Sequence, residues 1–138
     1  MRRINSKNLL RILDANFNRT KEALRVCEDF SRFILDDGKL TGDFKKIRHD
    51  ITRLAGVFGS MNLIGGRDIE GDVGRPSIKQ ELERKKTADI FYANIQRAKE
   101  SVRVLEEFAK LYQARAAGQF KRLRYKLYAL EKKAASKL

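Results

Sequence analysis

The chain has 138 residues, a single cysteine, a single proline and a formal net charge of +13. That length suits one domain with a real core, and the lone Cys27 leaves no disulfide framework and no cysteine metal cluster. No apolar run reaches the roughly 20 residues of a membrane span and no signal-peptide h-region follows Met1-Arg2-Arg3. The expectation is therefore a cytoplasmic protein whose partners are anionic, either phosphorylated metabolites or nucleic acid.

Residues 1–7 read as a frayed lead-in. A helical pattern runs from Asn8 to Leu35, with Leu9, Ile12, Ala23, Cys27, Phe30 and Ile34 on one face at about 100° per residue. Asn16 falls in the middle of that face and Arg19 inside its edge. Asp36-Asp37-Gly38 stops the helix, with Gly38 suited to a left-handed C-terminal cap. Thr41 is placed to cap the second helix, whose seam is Leu40, Phe44, Ile47, Ile51, Leu54 and Phe58. Gly56 and Gly59 weaken its end. Residues 59–78 lose all periodicity. A third helix is predicted from Ile78 or Lys79 to Tyr112, through Leu82, Ile90, Phe91, Ala98, Val102, Leu105, Phe108 and Ala109. Gly118 marks a break or a late start before the last helix, which carries Phe120, Leu123, Leu127, Leu130 and Ala134. No alternating run long enough for a sheet occurs.

The chain repeats itself. Aligning residues 12–33 with 90–111 gives ten identities in twenty-two positions, including Asn16/Asn94, Arg19/Arg97, Glu22/Glu100, Arg25/Arg103 and Glu28/Glu106. The second helices match as Phe44-Lys45-x-x-Arg48 against Phe120-Lys121-x-x-Arg124. The predicted fold is all-α: one domain, 1–138, with helical hairpins at 8–58 and 79–135 joined by a Gly-rich loop at 59–78. The hairpins would form a four-helix bundle about a pseudo-twofold axis.

Two stretches carry chemistry. Asn16, Arg19, Glu22, Arg25 and Glu28 recur every third residue and wind from core to flank. On an exposed helix this is a ladder of weak ion pairs. At the inward positions it is either a polar lock across the axis or a phosphate pocket in which Arg19 and Arg97 grip oxygens while Asn16 and Asn94 hydrogen-bond a ring or hydroxyl. The second stretch, Arg67 to Arg75, has glycines that allow close backbone approach to phosphate, and Asp68, Glu70 and Asp72 offer oxygens to magnesium. It is neither an EF-hand nor a Walker loop, and a simple connector accounts for it as well. The sole histidine, His49, reads as exposed or structural. Nucleic-acid binding lacks a zinc finger, a helix-turn-helix or interleaved aromatics.

The blocks Arg11-Ile-Leu-Asp-Ala-Asn16-x-x-Arg19-x-x-Glu22-x-Leu-Arg25-Val-x-Glu28, Arg67-Asp68-x-x-Gly71-Asp72-x-Gly74, Asn94-x-x-Arg97-x-x-Glu100-x-x-Arg103-Val-Leu-Glu106-Glu107 and Leu123-Arg124-Tyr125-x-Leu-Tyr-x-Leu-Glu131 together resemble a known domain. It is the second type of hydroxymethylpyrimidine phosphate kinase, often fused ahead of thiamine phosphate synthase, and the resemblance covers residues 9–133. It implies transfer of the ATP γ-phosphoryl group to 4-amino-5-hydroxymethyl-2-methylpyrimidine phosphate, with Mg2+ as cofactor and hand-off of the diphosphate to the synthase. Under that reading Arg19, Arg97, Arg67, Glu22 and Glu100 are catalytic. Asn16, Asn94, Arg25, Arg103, Arg48, Arg124, Gly71 and Gly74 bind substrate, and Asp68 and Asp72 hold the metal. The alternatives are a non-catalytic helical module that binds a phosphorylated pyrimidine or docks on the synthase, and a basic nucleic-acid-binding protein. A homodimer is compatible with each.

Overall fold

The computed structural model describes residues 5–78 and 82–138. Among these the protein is all-helical, without a strand. Its helices are α1 (Ser6–Phe33), α2 (Gly38–Phe58), the short α3 (Ser60–Gly65), α4 (Thr87–Ala109) and α5 (Ala114–Ala135). Helix α1 packs on both α2 and α4, and α4 packs on α5. Smaller contacts join α2 to α5 and α3 to α1 and α2. Thus α1 and α4 form the centre, and each carries its sequence neighbour on its flank.

The two central helices run antiparallel. The Phe30 ring lies 5.3 Å from Phe91, and Thr20 Oγ1 lies 2.7 Å from Ser101 Oγ, so advancing along α1 means retreating along α4. At this crossing one hydroxyl donates to the other. The hydroxyl that accepts donates its own proton to a carbonyl of its helix, Asn16 O for Thr20 or Arg97 O for Ser101. Two hydroxyls buried without partners would cost about 1–3 kcal/mol each; here both are satisfied.

Core positions match between the halves. Leu13, Phe17, Leu24 and Cys27 on α1 are buried, as are Phe91, Ile95, Val102 and Leu105 at the aligned positions of α4. On the outer helices Phe44, Ile47, Ile51 and Leu54 correspond to Phe120, Leu123, Leu127 and Leu130, again buried. All belong to one continuous apolar cluster. Burial pushes the Cys27 thiol up to about 12, aided by the negative charge of Glu131, so it stays protonated and inert at neutral pH.

Several boundaries differ from the sequence expectation. Gly38 is not a C-terminal cap: it opens α2, and the left-handed residue is Asp36, at φ 52°, a conformation Asp tolerates better than most. The cap of α2 is Asp37 rather than Thr41; its carboxylate accepts the Leu40 N–H at 2.9 Å and pairs with Lys137. Helix α2 ends at Gly59, whose φ of 81° favours glycine, and α3 follows where only loop was expected. Helix α4 starts at Thr87, where the Asp89 carboxylate accepts the N–H groups of Lys85 and Lys86. The predicted start at Ile78 or Lys79 adjoins residues 79–81, outside the described residues, and Leu82 is exposed rather than in the core. Helix α4 ends at Ala109 rather than Tyr112, and α5 runs unbroken through Gly118.

The buried face of α1 is centred on Leu13, Thr20, Leu24 and Cys27, with Ile34 and Arg19 outside it. The reason is geometric. Between α2 and α4 the helix buries a broad arc: Leu9, Ala23, Cys27 and Phe30 of the expected face lie inside it, Ile12 is half-buried and Ile34 is exposed.

The cap gives a pH prediction. The Leu40 N–H, then Lys137, hold the Asp37 carboxyl below its ordinary range. A lowered folded-state value means that this stability is present above the unfolded value of about 3.9 and is lost as pH falls through the folded one. Asp37→Asn keeps a capping oxygen but loses the charge. It should therefore melt lower than the parent at pH 7, with the gap closing in melts below pH 3.

Candidate functional site

A cleft of about 670 Å³ lies between the N-terminal half of α1 and the loop after α3. Asp14 is its buried anchor. The Arg67 guanidinium grips it in bidentate fashion, Nε to Oδ2 at 2.6 Å and Nη2 to Oδ1 at 3.0 Å. Asn18 Nδ2 donates to Asp14 Oδ1 as well, at 3.3 Å. The bond to Asp14 raises the Arg67 pKa above its ordinary value, so the guanidinium stays charged. This clamp ties the loop to α1 across 53 residues of sequence.

Arg11 and Arg19 also line the cleft. Neither has a carboxylate within salt-bridge distance among the described residues. Arg19 Nη1 donates to Asn16 Oδ1 at 3.4 Å, and Asn16 Nδ2 donates to its own helix at Ile12 O. Ile12, Ala15 and Ile69 supply an apolar wall. Asp68 and Asp72 complete the lining, each with one oxygen on a backbone N–H, of Gly71 and Gly74 respectively.

Of the residues singled out in the sequence, this cleft gathers Asn16, Arg19, Arg67, Asp68 and Asp72. Gly71 and Gly74 stand beside it, but their N–H groups are taken by Asp68 and Asp72, which corrects the expectation that they cradle a phosphate. A side chain at Gly71 would collide with the Asp68 carboxylate, so the tight turn explains that glycine. Among the described residues no group of three or more His, Cys, Asp or Glu is arranged to hold a metal ion.

The remaining residues lie elsewhere. Arg19 and Arg97 do not meet in the core; both are exposed. Asn94 donates to Ile90 O on its own helix, as Asn16 does to Ile12 O, so neither a cross-axis asparagine lock nor a central pocket forms. Helix α1 meets α4 through Thr20 and Ser101 instead. Glu22 is exposed, and Glu100 accepts from Gln96 on the surface. His49 is exposed, as expected.

Arg25 and Arg48 converge on buried Glu28 at 3.3 and 3.1 Å. Arg103 and Arg124 converge on buried Glu106 at 3.2 and 3.0 Å. These matched triads tie each central helix to its flanking partner, so part of every one of these arginines is structural. The hydrogen bond to Glu106 raises the Arg124 pKa, against the opposing effect of burial.

Sequence reasoning missed Asp14, Arg11 and Asn18. A signal existed for Asp14. It lies between Leu13 and Phe17 on α1, and the aligned position of the other half is Tyr92, so the acid marks where the halves diverge.

The pattern of the ThiD2 family matches residues 11–133. The chain belongs to the ThiD2 family. A protein of Nostoc sp. (strain PCC 7120) is 39% identical over 122 residues, covering 88% of this chain and 34% of the relative. One from Rhodopirellula baltica is 38% identical over 125 residues, 90% of this chain and 33% of the relative. One from Synechocystis sp. (strain PCC 6803) is 37% identical over 124 residues, 89% and 35%. All three are named thiamine-phosphate synthase. This ThiD2 chain thus spans about a third of their length. No solved structure matches.

These names overturn the kinase expectation. Thiamine-phosphate synthase is a different enzyme from a hydroxymethylpyrimidine phosphate kinase, so ATP-dependent phosphoryl transfer is not carried over to this ThiD2 chain. Of the residues given catalytic roles, Arg19 and Arg67 line the cleft together, while Arg97 and Glu100 lie on α4 away from it. No helix among the described residues is long and apolar enough to cross a membrane.

Proposed function

We propose that this ThiD2 chain is a binding module of thiamine biosynthesis that holds a phosphorylated pyrimidine in the cleft between α1 and the loop after α3. The observation that carries this reading is the lining. An apolar wall of Ile12, Ala15 and Ile69 stands beside Arg11 and Arg19, two cations with no carboxylate partner among the described residues. A flat ring fits the wall, and a phosphate fits guanidinium groups. The relatives' name supplies the pathway. The loop is held by Asp14 and Arg67, so the cleft needs little ordering when ligand arrives. Asp68 and Asp72 face the same space, and a magnesium ion entering with a phosphate would be received there. The fold serves the reading too: we take the four long helices as a bundle of two hairpins about a pseudo-twofold axis, with the cleft on the first hairpin alone.

Calorimetric titration of the chain with hydroxymethylpyrimidine phosphate at low salt tests this. The monoester should bind, the unphosphorylated pyrimidine should bind at least about tenfold more weakly, and Arg19→Ala should weaken the monoester by about tenfold, the value of one charge-assisted hydrogen bond. Arg19 is exposed, so the variant should melt like the parent. Equal binding of the two pyrimidines, or an unaffected Arg19→Ala, would sink the reading.

A further inference from the structure

The duplicated halves carry the same groove, and it is wider in one of them. In the first half it lies between α1 and α2 and is lined by Asn18, Lys21, Glu22, Arg25, Arg48 and Thr52, among others. In the second it lies between α4 and α5 and is lined by Gln96, Lys99, Glu100, Arg103, Arg124 and Tyr128. The six positions correspond one to one under the sequence alignment.

In the second half the groove is filled from within. Lys99 Nζ is held by Glu131 at 2.9 and 3.2 Å and lies 5.1 Å from the centre of the Tyr128 ring. The same ring receives the Arg124 guanidinium at 6.0 Å. In the first half the position of Glu131 is Ala55, and that of Tyr128 is Thr52. Lys21 therefore has no carboxylate within salt-bridge distance among the described residues. Arg48 gives its Nε to Glu28, and among the described residues both its Nη groups are unengaged. Accordingly the first groove measures about 650 Å³ and the second about 350 Å³.

We infer that the α1–α2 groove is a phosphate site, with Lys21 and Arg48 as its cations, and that its counterpart is the same site closed by Glu131 and Tyr128. The ligand class is a small phosphomonoester. The neighbouring acids leave Lys21 and the Nη groups of Arg48 available. Glu28 is engaged by both arginines, Asp29 faces Arg25 at 3.8 Å, and Glu22 is exposed to solvent at the rim, where its charge is screened. Asn18 lines both this groove and the α1–loop cleft, so the two sites adjoin. The inference stands apart from the pyrimidine reading, because it rests on the difference between the halves.

Inorganic phosphate is the probe, titrated into 15N-labelled chain at constant ionic strength with chloride as the control anion. Amide shifts should move around Asn18, Lys21 and Thr52. Lys21→Gln should weaken them about tenfold, and Ala55→Glu should abolish them by supplying the missing carboxylate. The converse pair, Glu131→Ala with Tyr128→Thr, should add a second set of shifts at Lys99 and Arg124. Arg19→Ala serves as the control for the neighbouring cleft and should leave the Thr52 shifts in place. Absence of phosphate-specific shifts, indifference to Lys21→Gln or to Ala55→Glu, or loss in Arg19→Ala with retention in Lys21→Gln would each overturn the proposal.

Discussion

Phe17→Ala should lower the unfolding free energy by about 4 kcal/mol, the range for emptying a full aromatic site in a packed core. The Phe17 ring is 2% exposed. It stands 5.7 Å from the Phe58 ring at the end of α2 and 5.8 Å from the Phe120 ring of α5. It therefore joins three helices, and none of its neighbours can close the gap without leaving another. Urea unfolding followed by circular dichroism gives the number, with an unchanged slope expected if only stability falls. Phe33→Ala is the control: that ring is largely exposed, so its loss should stay within about 0.5 kcal/mol. A Phe17→Ala loss as small as the control's would show that the three-helix junction is not packed around this ring.

The next largest effect belongs to the buried glutamates. Glu106→Ala removes the common partner of Arg103 and Arg124 and leaves the Arg124 guanidinium, 12% exposed, without its carboxylate. Breaking such a pair from one side costs about 3 kcal/mol, mostly from the stranded charge. Glu28→Ala should cost less, because Arg48 is 20% exposed and reaches water more easily. Adding Arg124→Met to Glu106→Ala should restore part of the loss, since a charge that is absent need not be neutralised. Glu106→Ala, Arg124→Met, their double variant and Glu28→Ala, measured together by chemical denaturation, form the test. An additive double variant would mean that the triad does not act as a unit.

How far the sequence is readable depends on which force places each residue. The seams of α2 and α5 were legible, because each of these flanking helices buries one narrow stripe that periodicity reports directly. The central helix α1 was not, because contact on two sides widens the buried arc and a single-face count picks one edge of it. Asn16 and Arg19 illustrate the consequence. Asn16 is buried, as the wheel placed it, whereas Arg19 is exposed on the wall of the cleft. The repeat was visible in identities such as Arg25/Arg103 and Glu28/Glu106. What it leaves out is cross-helix partnership: Glu28 meets Arg48 and Glu106 meets Arg124 only once the hairpins close. The cleft was half legible. Arg67, Asp68 and Asp72 stood out as charges among glycines, whereas Asp14 gains its meaning from Arg67, 53 residues away. Spacing within one element cannot report such a contact. The kinase expectation rested on likeness of motifs, and likeness says little about which chemistry a family member performs.

The hydroxyl contact of Thr20 with Ser101 spans 81 residues, while the glutamate clamps span only 20 and 18. Loop-closure entropy grows with the logarithm of length, about 0.6 kcal/mol per doubling. Bringing the halves together therefore costs only about 1.2 kcal/mol more than closing either hairpin, two doublings' worth. The segment between α2 and α4 is under little entropic pressure to be short, and a duplicated chain can lengthen it almost freely. Here that latitude is occupied by the Arg67 loop, which returns to α1 and makes a wall of the cleft.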